Sequence, residues 1–306
     1  MTAPASGGVA GALLGRFRFD SEASRFRLDE VRARRREARE AGGRETRMPE
    51  RENGNGLVGA IPGVKLLGGL LPEKQARTFL SRWLRRGLLA GFGVGFTVPY
   101  LAILNDVHVE GDEFLKDLPR RNVTFLANHQ TYFLEALAFF DLVYVRHQFP
   151  LEDPVLRFSA AEETMKKNLL TKLMTLAGGV TFRRSFREGG VDVQRPVDLD
   201  GVARVEEAIR EGWLLHFPAG TTRKGAPLRS GVSRLLHNTK AVALPLRVDG
   251  FRDLLLHKQV PGKLFKRCSL KIHPPLDLDA FYARPYHKDD GARLLRHLED
   301  LLGDRD

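Results

Sequence analysis

From residue 106 onward, short apolar runs alternate with amphipathic stretches, and this alternation limits the possible folds more than any other feature of the chain. The runs fall at 106–110, 123–127, 155–159, 180–183, 213–217, 241–248 and 269–273, each of a length suited to a buried strand. Helices are predicted at 131–146, 161–176, 201–211, 229–238 and 288–302; in the third, Val202, Val205, Ala208 and Ile209 recur at helical spacing. Strands interleaved with helices predict an α/β sandwich on a mixed, largely parallel sheet flanked by helices. One strand, Val242-Ala243-Leu244-Pro245-Leu246, carries an internal proline. It is expected at an edge, an end or a bulge, because proline cannot donate to a ladder.

The chain before this region has a different character. Residues 29–53 are a mixed-charge run rich in Arg and Glu with almost no large apolar residues, so residues 1–55 read as a disordered tail. Met1-Thr2-Ala3-Pro4 does not open a basic segment followed by an apolar one, so no secretory signal is read. Residues 57–71 are apolar and small. A basic cluster of Lys74, Arg77, Arg82, Arg85 and Arg86 then surrounds Phe79, Leu80 and Trp83. It leads into the uncharged stretch 87–104, which is short for a spanning helix and contains Pro99. A buried core helix is one reading of that stretch. The basic cluster favours the other, a segment that enters or crosses a membrane while the Arg-Trp stretch lies in the headgroup layer on the anionic, cytoplasmic side. The expected organisation is a tail over 1–55, a membrane-associated helical segment over 56–104 and an α/β domain over 105–306.

A hydrophobic content of 42% fits a globular core, and a formal charge of +11 calls for an anionic partner: nucleic acid, an anionic membrane surface or a phosphorylated substrate. No recognition-helix pattern, aromatic stacking motif or zinc finger supports nucleic acid. The lone Cys268 excludes an intrachain disulfide and a Cys-based zinc site, and it reads as structural. The nine histidines show no metal-binding spacing, so no metal is expected.

Four segments stand at predicted strand ends. The first, Asn128-His129-Gln130-Thr131-Tyr132-Phe133-Leu134-Glu135, follows the run 123–127 and sets a His and a carboxylate six positions apart. A His oriented by a carboxylate is a minimal general base, and strand carboxyl ends are where open α/β sheets place their sites. The second runs from Gly178 into the pair Arg183-Arg184, whose guanidinium groups match phosphate oxygens. The third, Phe217-Pro218-Ala219-Gly220-Thr221-Thr222-Arg223-Lys224, is a turn whose amides could serve an anion. The strand with Pro245 is the fourth. Taken singly, each also fits an ordinary strand end.

In order and spacing the four resemble the glycerolipid acyltransferase family, typified by 1-acylglycerol-3-phosphate acyltransferases, over roughly residues 75–275. That family shows Asn-His-x4-Asp, a strand ending in Arg, Phe-Pro-Glu-Gly-Thr-Arg and an apolar strand with Pro, on an α/β sandwich with a membrane-associated N-terminal helical motif. The resemblance implies His129 as general base oriented by Glu135, with Arg184 at the phosphate-binding position. It implies acceptor contacts from Asn128, Thr131, Arg183, Arg184, Gly220, Thr221, Thr222, Arg223 and Lys224. The partners implied are an acyl thioester (acyl carrier protein or acyl-CoA, as co-substrate rather than cofactor), a lipid acceptor such as 1-acylglycerol-3-phosphate, and the cytoplasmic face of the inner (plasma) membrane. This chain departs from the pattern in three places. Glu135 comes one residue later than the family Asp, Ala219 replaces the family Glu, and Thr222 stands at the family Arg with Arg223 displaced by one. These changes point to an aminolipid or another lyso-lipid as alternative acceptors, or to a non-catalytic lipid-binding descendant.

Overall fold

In the computed structural model of the protein, residues 83–91, 93–166, 169–183, 186–188, 191–193, 198–254 and 263–303 are described. The expected tail over 1–55 and the segment 56–82 lie outside them. The strands are β1 (Asp106–Glu110), β2 (Val123–Ala127), β3 (Leu156–Ala161), β4 (Gly179–Phe182), β5 (Phe186–Glu188), β6 (Val191–Val193), β7 (Trp213–His216), β8 (Val242–Asp249) and β9 (Arg267–Ile272). Seven of them form one sheet in the order β1-β9-β8-β2-β7-β3-β4, and β5 and β6 pair as a separate antiparallel hairpin. Within the large sheet only β8 and β9 pair antiparallel. The mixed, largely parallel sheet expected from the sequence is therefore present.

Helix α1 spans 83–91. It is followed by α2 (Leu134–Asp141), α3 (Glu162–Met165), α4 (Leu169–Leu176), α5 (Leu199–Glu211), α6 (Gly231–Thr239), α7 (Phe251–Leu254), α8 (Asp279–Tyr282) and α9 (Lys288–Leu302). Both sheet faces are covered, which is why β2 and β7 are buried at every position rather than alternating. On one face Val123, Phe125, Trp213, Leu215 and Leu244 meet Leu134, Ala138 and Phe139 of α2. On the other, Leu126 and Ala243 meet α6 and α9, and Leu214 meets Val205, Ala208 and Ile209 of α5.

Two predicted helices are modified. The helix expected over 131–146 starts only at Leu134, and its last turn, Leu142–Arg146, widens to π winding with His147 N–H bonded to the Leu142 carbonyl at 3.0 Å. The one expected over 161–176 divides into α3 and α4, on either side of the polar stretch Lys166-Lys167-Asn168. The proline expectation also needs correcting, because β8 is an inner strand between β9 and β2. Pro245 is tolerated because its carbonyl, and hence its missing N–H, points toward β9 where β9 ends. The β8–β9 ladder begins at Leu246↔Ile272, and the Pro245 carbonyl accepts from His273 N–H, just beyond the strand, at 2.9 Å.

The helix over Trp83–Ile103 is long and apolar enough to cross a membrane, and only 19% of its apolar window is buried. Trp83 and Ile103 are 66% and 71% exposed. Over Gly93–Ile103 it takes π winding around Pro99, whose ring and missing N–H disfavour regular α geometry; Leu104 N–H bonds the Pro99 carbonyl at 3.0 Å. Arg85 does not lie in a headgroup layer as expected but turns into the protein. Its Nε donates to the Ala177 carbonyl at 3.1 Å, a second nitrogen donates to the Leu156 carbonyl, and Glu152 lies 3.3 Å away. Gly178 makes room for it: at φ +135° a Cβ there would stand 3.0 Å from the Leu156 carbonyl and 3.1 Å from the guanidinium.

Candidate active site

Strands β8, β2, β7, β3 and β4 run in one direction, so the segments following β2, β4 and β7 emerge along one edge of the sheet. The chain leaves β2 toward β3 across one face and leaves β7 toward β8 across the other. This reversal opens a crevice beyond the carboxyl ends of the strands.

At the end of β2 a side chain takes over from the backbone. The last β2–β8 pair is Ala127↔Leu246. Beyond it Asn128 Nδ2 donates to the Val248 carbonyl at 2.7 Å, and Asn128 Oδ1 accepts from Val248 N–H at 2.6 Å. Asn128, expected to contact the acceptor, is buried with both its polar groups engaged. The loop then turns His129 back over the site. Its ring stacks on Phe217 with centroids 4.1 Å apart and 26° between planes, which joins the first and third sequence motifs.

Glu135 is wholly buried in the first turn of α2. Its Oε1 accepts the backbone N–H groups of Gln130 and Thr131, both at 2.5 Å, while Thr131 Oγ1 donates to Oε2 at 2.5 Å and accepts Leu134 N–H at 3.0 Å. Thr131 and Glu135 thus bond each other across the entry to α2, much as in a capping box but with Thr131 two residues ahead of the N-cap, Phe133. His129 Nδ1 faces Oε1 at 3.6 Å, an ion-pair distance rather than a closed hydrogen bond. Burial alone would push the Glu135 carboxyl up, but the imidazole and the Thr131 hydroxyl and amide together hold it below the usual carboxylate range. A buried carboxylate facing Nδ1 leaves Nε2 as the nitrogen free to take a substrate proton.

In the third motif, Gly220 adopts φ +64°, and its N–H is engaged by the Phe217 carbonyl at 2.9 Å rather than offered to an anion. Arg229 holds the loop shut, its backbone N–H on Pro218 and its Nε on the Ala219 carbonyl. Thr221 and Thr222 are half-buried, and Arg223 and Lys224 are exposed beside them. In the second motif, Arg183 is tied down: Nε lies 2.8 Å from Glu162, and its N–H donates to Asp198 at 2.8 Å. Since β4 is three strands from β2, Arg183 stands about 14 Å along the sheet from the base. Arg184 lies outside the described residues. Among the described residues no group of His, Cys, Asp and Glu is placed to hold a metal ion.

Two features had only faint sequence signals. Phe217 opens the third motif, but its stacking on the His129 imidazole joins residues 88 apart and is visible only in the fold. A small apolar hollow, lined by Leu89, Ala136, Leu137, Phe140, Phe158, Met174 and Ala177, includes the residue after Glu135 in its wall. Its lining comes from four separate elements, so no local pattern announced it.

Residues 106–249 match the family model described as Acyltransferase. Among curated proteins nothing matches. Among solved structures the chain is similar to the crystal structure of the 1-acyl-sn-glycerophosphate (LPA) acyltransferase PlsC from Thermotoga maritima. Identity is 20%, covering 78% of this chain and 87% of that one, with a TM-score of 0.44.

Proposed function

We propose, starting from the match of residues 106–249 to the family model described as Acyltransferase, that the protein is a membrane-bound lipid acyltransferase. It moves a fatty acyl group from an acyl thioester, carried by acyl carrier protein or coenzyme A, to the hydroxyl of a lysophospholipid-like acceptor such as 1-acylglycerol-3-phosphate. The observation that carries this reading is His129 stacked on Phe217 and facing the buried carboxylate of Glu135. His129 Nε2 takes the proton of the acceptor hydroxyl as that oxygen attacks the thioester carbonyl carbon. The tetrahedral intermediate expels the thiolate, and the imidazolium returns the proton to it. Glu135 holds the ring orientation and stabilises the imidazolium while it exists.

No acyl-enzyme is required. The thiol of Cys268 is buried in β9 and pushed up to about 12, which keeps it from acting as a nucleophile. The apolar lining of Ala136, Leu137, Phe140 and Phe158 suits contact with the first carbons of an acyl chain, and the cations of the second and third motifs, Arg183, Arg184, Arg223 and Lys224, suit an anionic headgroup. The exposed apolar helix and its basic approach suit attachment to the cytoplasmic face of an anionic membrane. Ala219 at the position of the family Glu supports a second reading, O- or N-acylation of another lyso-lipid. To test both, purified protein in anionic vesicles is given acyl-CoA or acyl carrier protein thioester and a panel of lysolipids, and products are identified by mass spectrometry. A diacyl product dependent on His129 supports the proposal. The absence of transfer to every acceptor would leave only the lipid-binding descendant.

A further inference from the structure

The base loop is held from two sides, and one residue belongs to both. On one side, the backbone N–H of Gln130 donates to Glu135 Oε1 at 2.5 Å. On the other, its side chain bridges to β8 and α7: Nε2 donates to the Val248 carbonyl at 3.0 Å, and Oε1 accepts from Phe251 N–H at 3.0 Å and Arg252 N–H at 3.4 Å. The carboxamide therefore meets the opening amides of α7, which a helix start leaves without partners of its own. Asn128, on the other flank of His129, bonds both groups of Val248.

The far anchor is firm. Phe251 and Leu254 of α7 are fully buried, and the Leu254 carbonyl accepts from Tyr100 OH at 3.0 Å, a residue of the apolar N-terminal helix. A short helix held by two buried apolar side chains is a rigid reference for the loop. Without the Gln130 bridge, residues 129–131 would keep the Asn128 and Glu135 bonds and the stacking of His129 on Phe217, but would lose their tie to α7. The 3.6 Å approach of His129 to Glu135 would then vary with every movement of the loop.

We propose that Gln130 is a positioning residue for the His129–Glu135 pair, setting the imidazole–carboxylate geometry from α7 through its side chain. This rests on the acyl-transfer reading above. It predicts that the side chain of Gln130 acts on the chemical step rather than on acceptor affinity.

The test compares full-length wild type, Gln130→Met and Gln130→Glu in the vesicle assay. Gln130→Met keeps the length of the side chain and removes every bond. Gln130→Glu keeps an acceptor for the α7 amides and loses the donor to Val248. Expected for Gln130→Met is a fall in kcat of about tenfold with the acceptor KM unchanged, together with a shift of the acid limb of the kcat/KM profile to lower pH, because a misaligned carboxylate stabilises the imidazolium less. Gln130→Glu should lower kcat less, while its added carboxylate beside His129 moves the acid limb the other way, to higher pH. If Gln130→Met does not fold, Gln130→Asn, which keeps the carboxamide but is one methylene too short to reach both Val248 and α7, decides by the same readouts. An unmoved kcat or an unmoved acid limb, whatever the melting temperature does, would overturn the role. A wild-type protein that transfers no acyl group would overturn the acyltransferase reading instead.

Discussion

Glu135 shows how a one-residue change in spacing is absorbed at the scale of single side chains. It lies fully buried, and three donors from Gln130 and Thr131 converge on its two oxygens. Glu135→Gln would place an NH₂ group against those donors. An unsatisfied buried donor costs about 1–3 kcal/mol, so the melting temperature should fall. Loss of the charge opposite His129 should lower kcat on the order of 10²-fold, within the range of general-base catalysis. Thermal unfolding and steady-state kinetics check the two effects separately. Because the carboxyl sits below its ordinary value, its stabilising contribution is present through neutral pH and is lost only as the pH falls through that lowered value. His129 and Glu135 were legible in the sequence because the motif is local. The engaged side chains of Asn128 and Gln130 were not, since their partners lie on β8 and α7, more than a hundred residues away.

At the scale of elements, the docking of α1 depends on Arg85. The guanidinium is inserted between the carbonyls of Leu156 and Ala177 with Glu152 beside it, and both charged side chains are largely buried. Arg85→Ala would leave Glu152 with only Arg86, which is over half exposed and 3.5 Å away. Breaking a buried pair on one side costs about 3–5 kcal/mol, so a loss near the lower end is expected. It should appear as faster hydrogen exchange over 83–103 and a wider opening of the hollow that Leu89 helps to line. Unchanged exchange there would refute the latch. The composition of 74–86 suggested a headgroup layer because an arginine at a helix start has the same sequence signature whether it meets phosphate or buried carbonyls. The strands, in contrast, were legible nearly to their ends, as continuous apolar runs buried on both faces. The β5–β6 hairpin and the four-residue helices α7 and α8 escaped, being too short to show a period.

For the whole molecule, the two faces of the sheet divide the work. One carries α2, the hollow and the base, and the other carries α5, α6 and α9 with a buried His216 whose Nδ1 meets Ser159 Oγ at 2.8 Å. Burial pushes the His216 imidazole from 6.5 down to about 4. Between those values the unfolded chain binds a proton that the folded one refuses. Stability should therefore be full above about pH 6.5 and decline as the pH falls toward 4, by up to about 3 kcal/mol. Denaturant titrations across that range should show the slope, and His216→Gln should flatten it. The same molecule should turn over lipid only if the other face works as a base-driven acyl transferase. The most direct test measures acyl transfer from an acyl thioester to 1-acylglycerol-3-phosphate by wild-type protein and by His129→Ala, with circular dichroism to verify folding. A loss on the order of 10²–10⁴ in rate by a folded variant is predicted. Near-wild-type turnover by folded His129→Ala would contradict the assignment of His129 as the base.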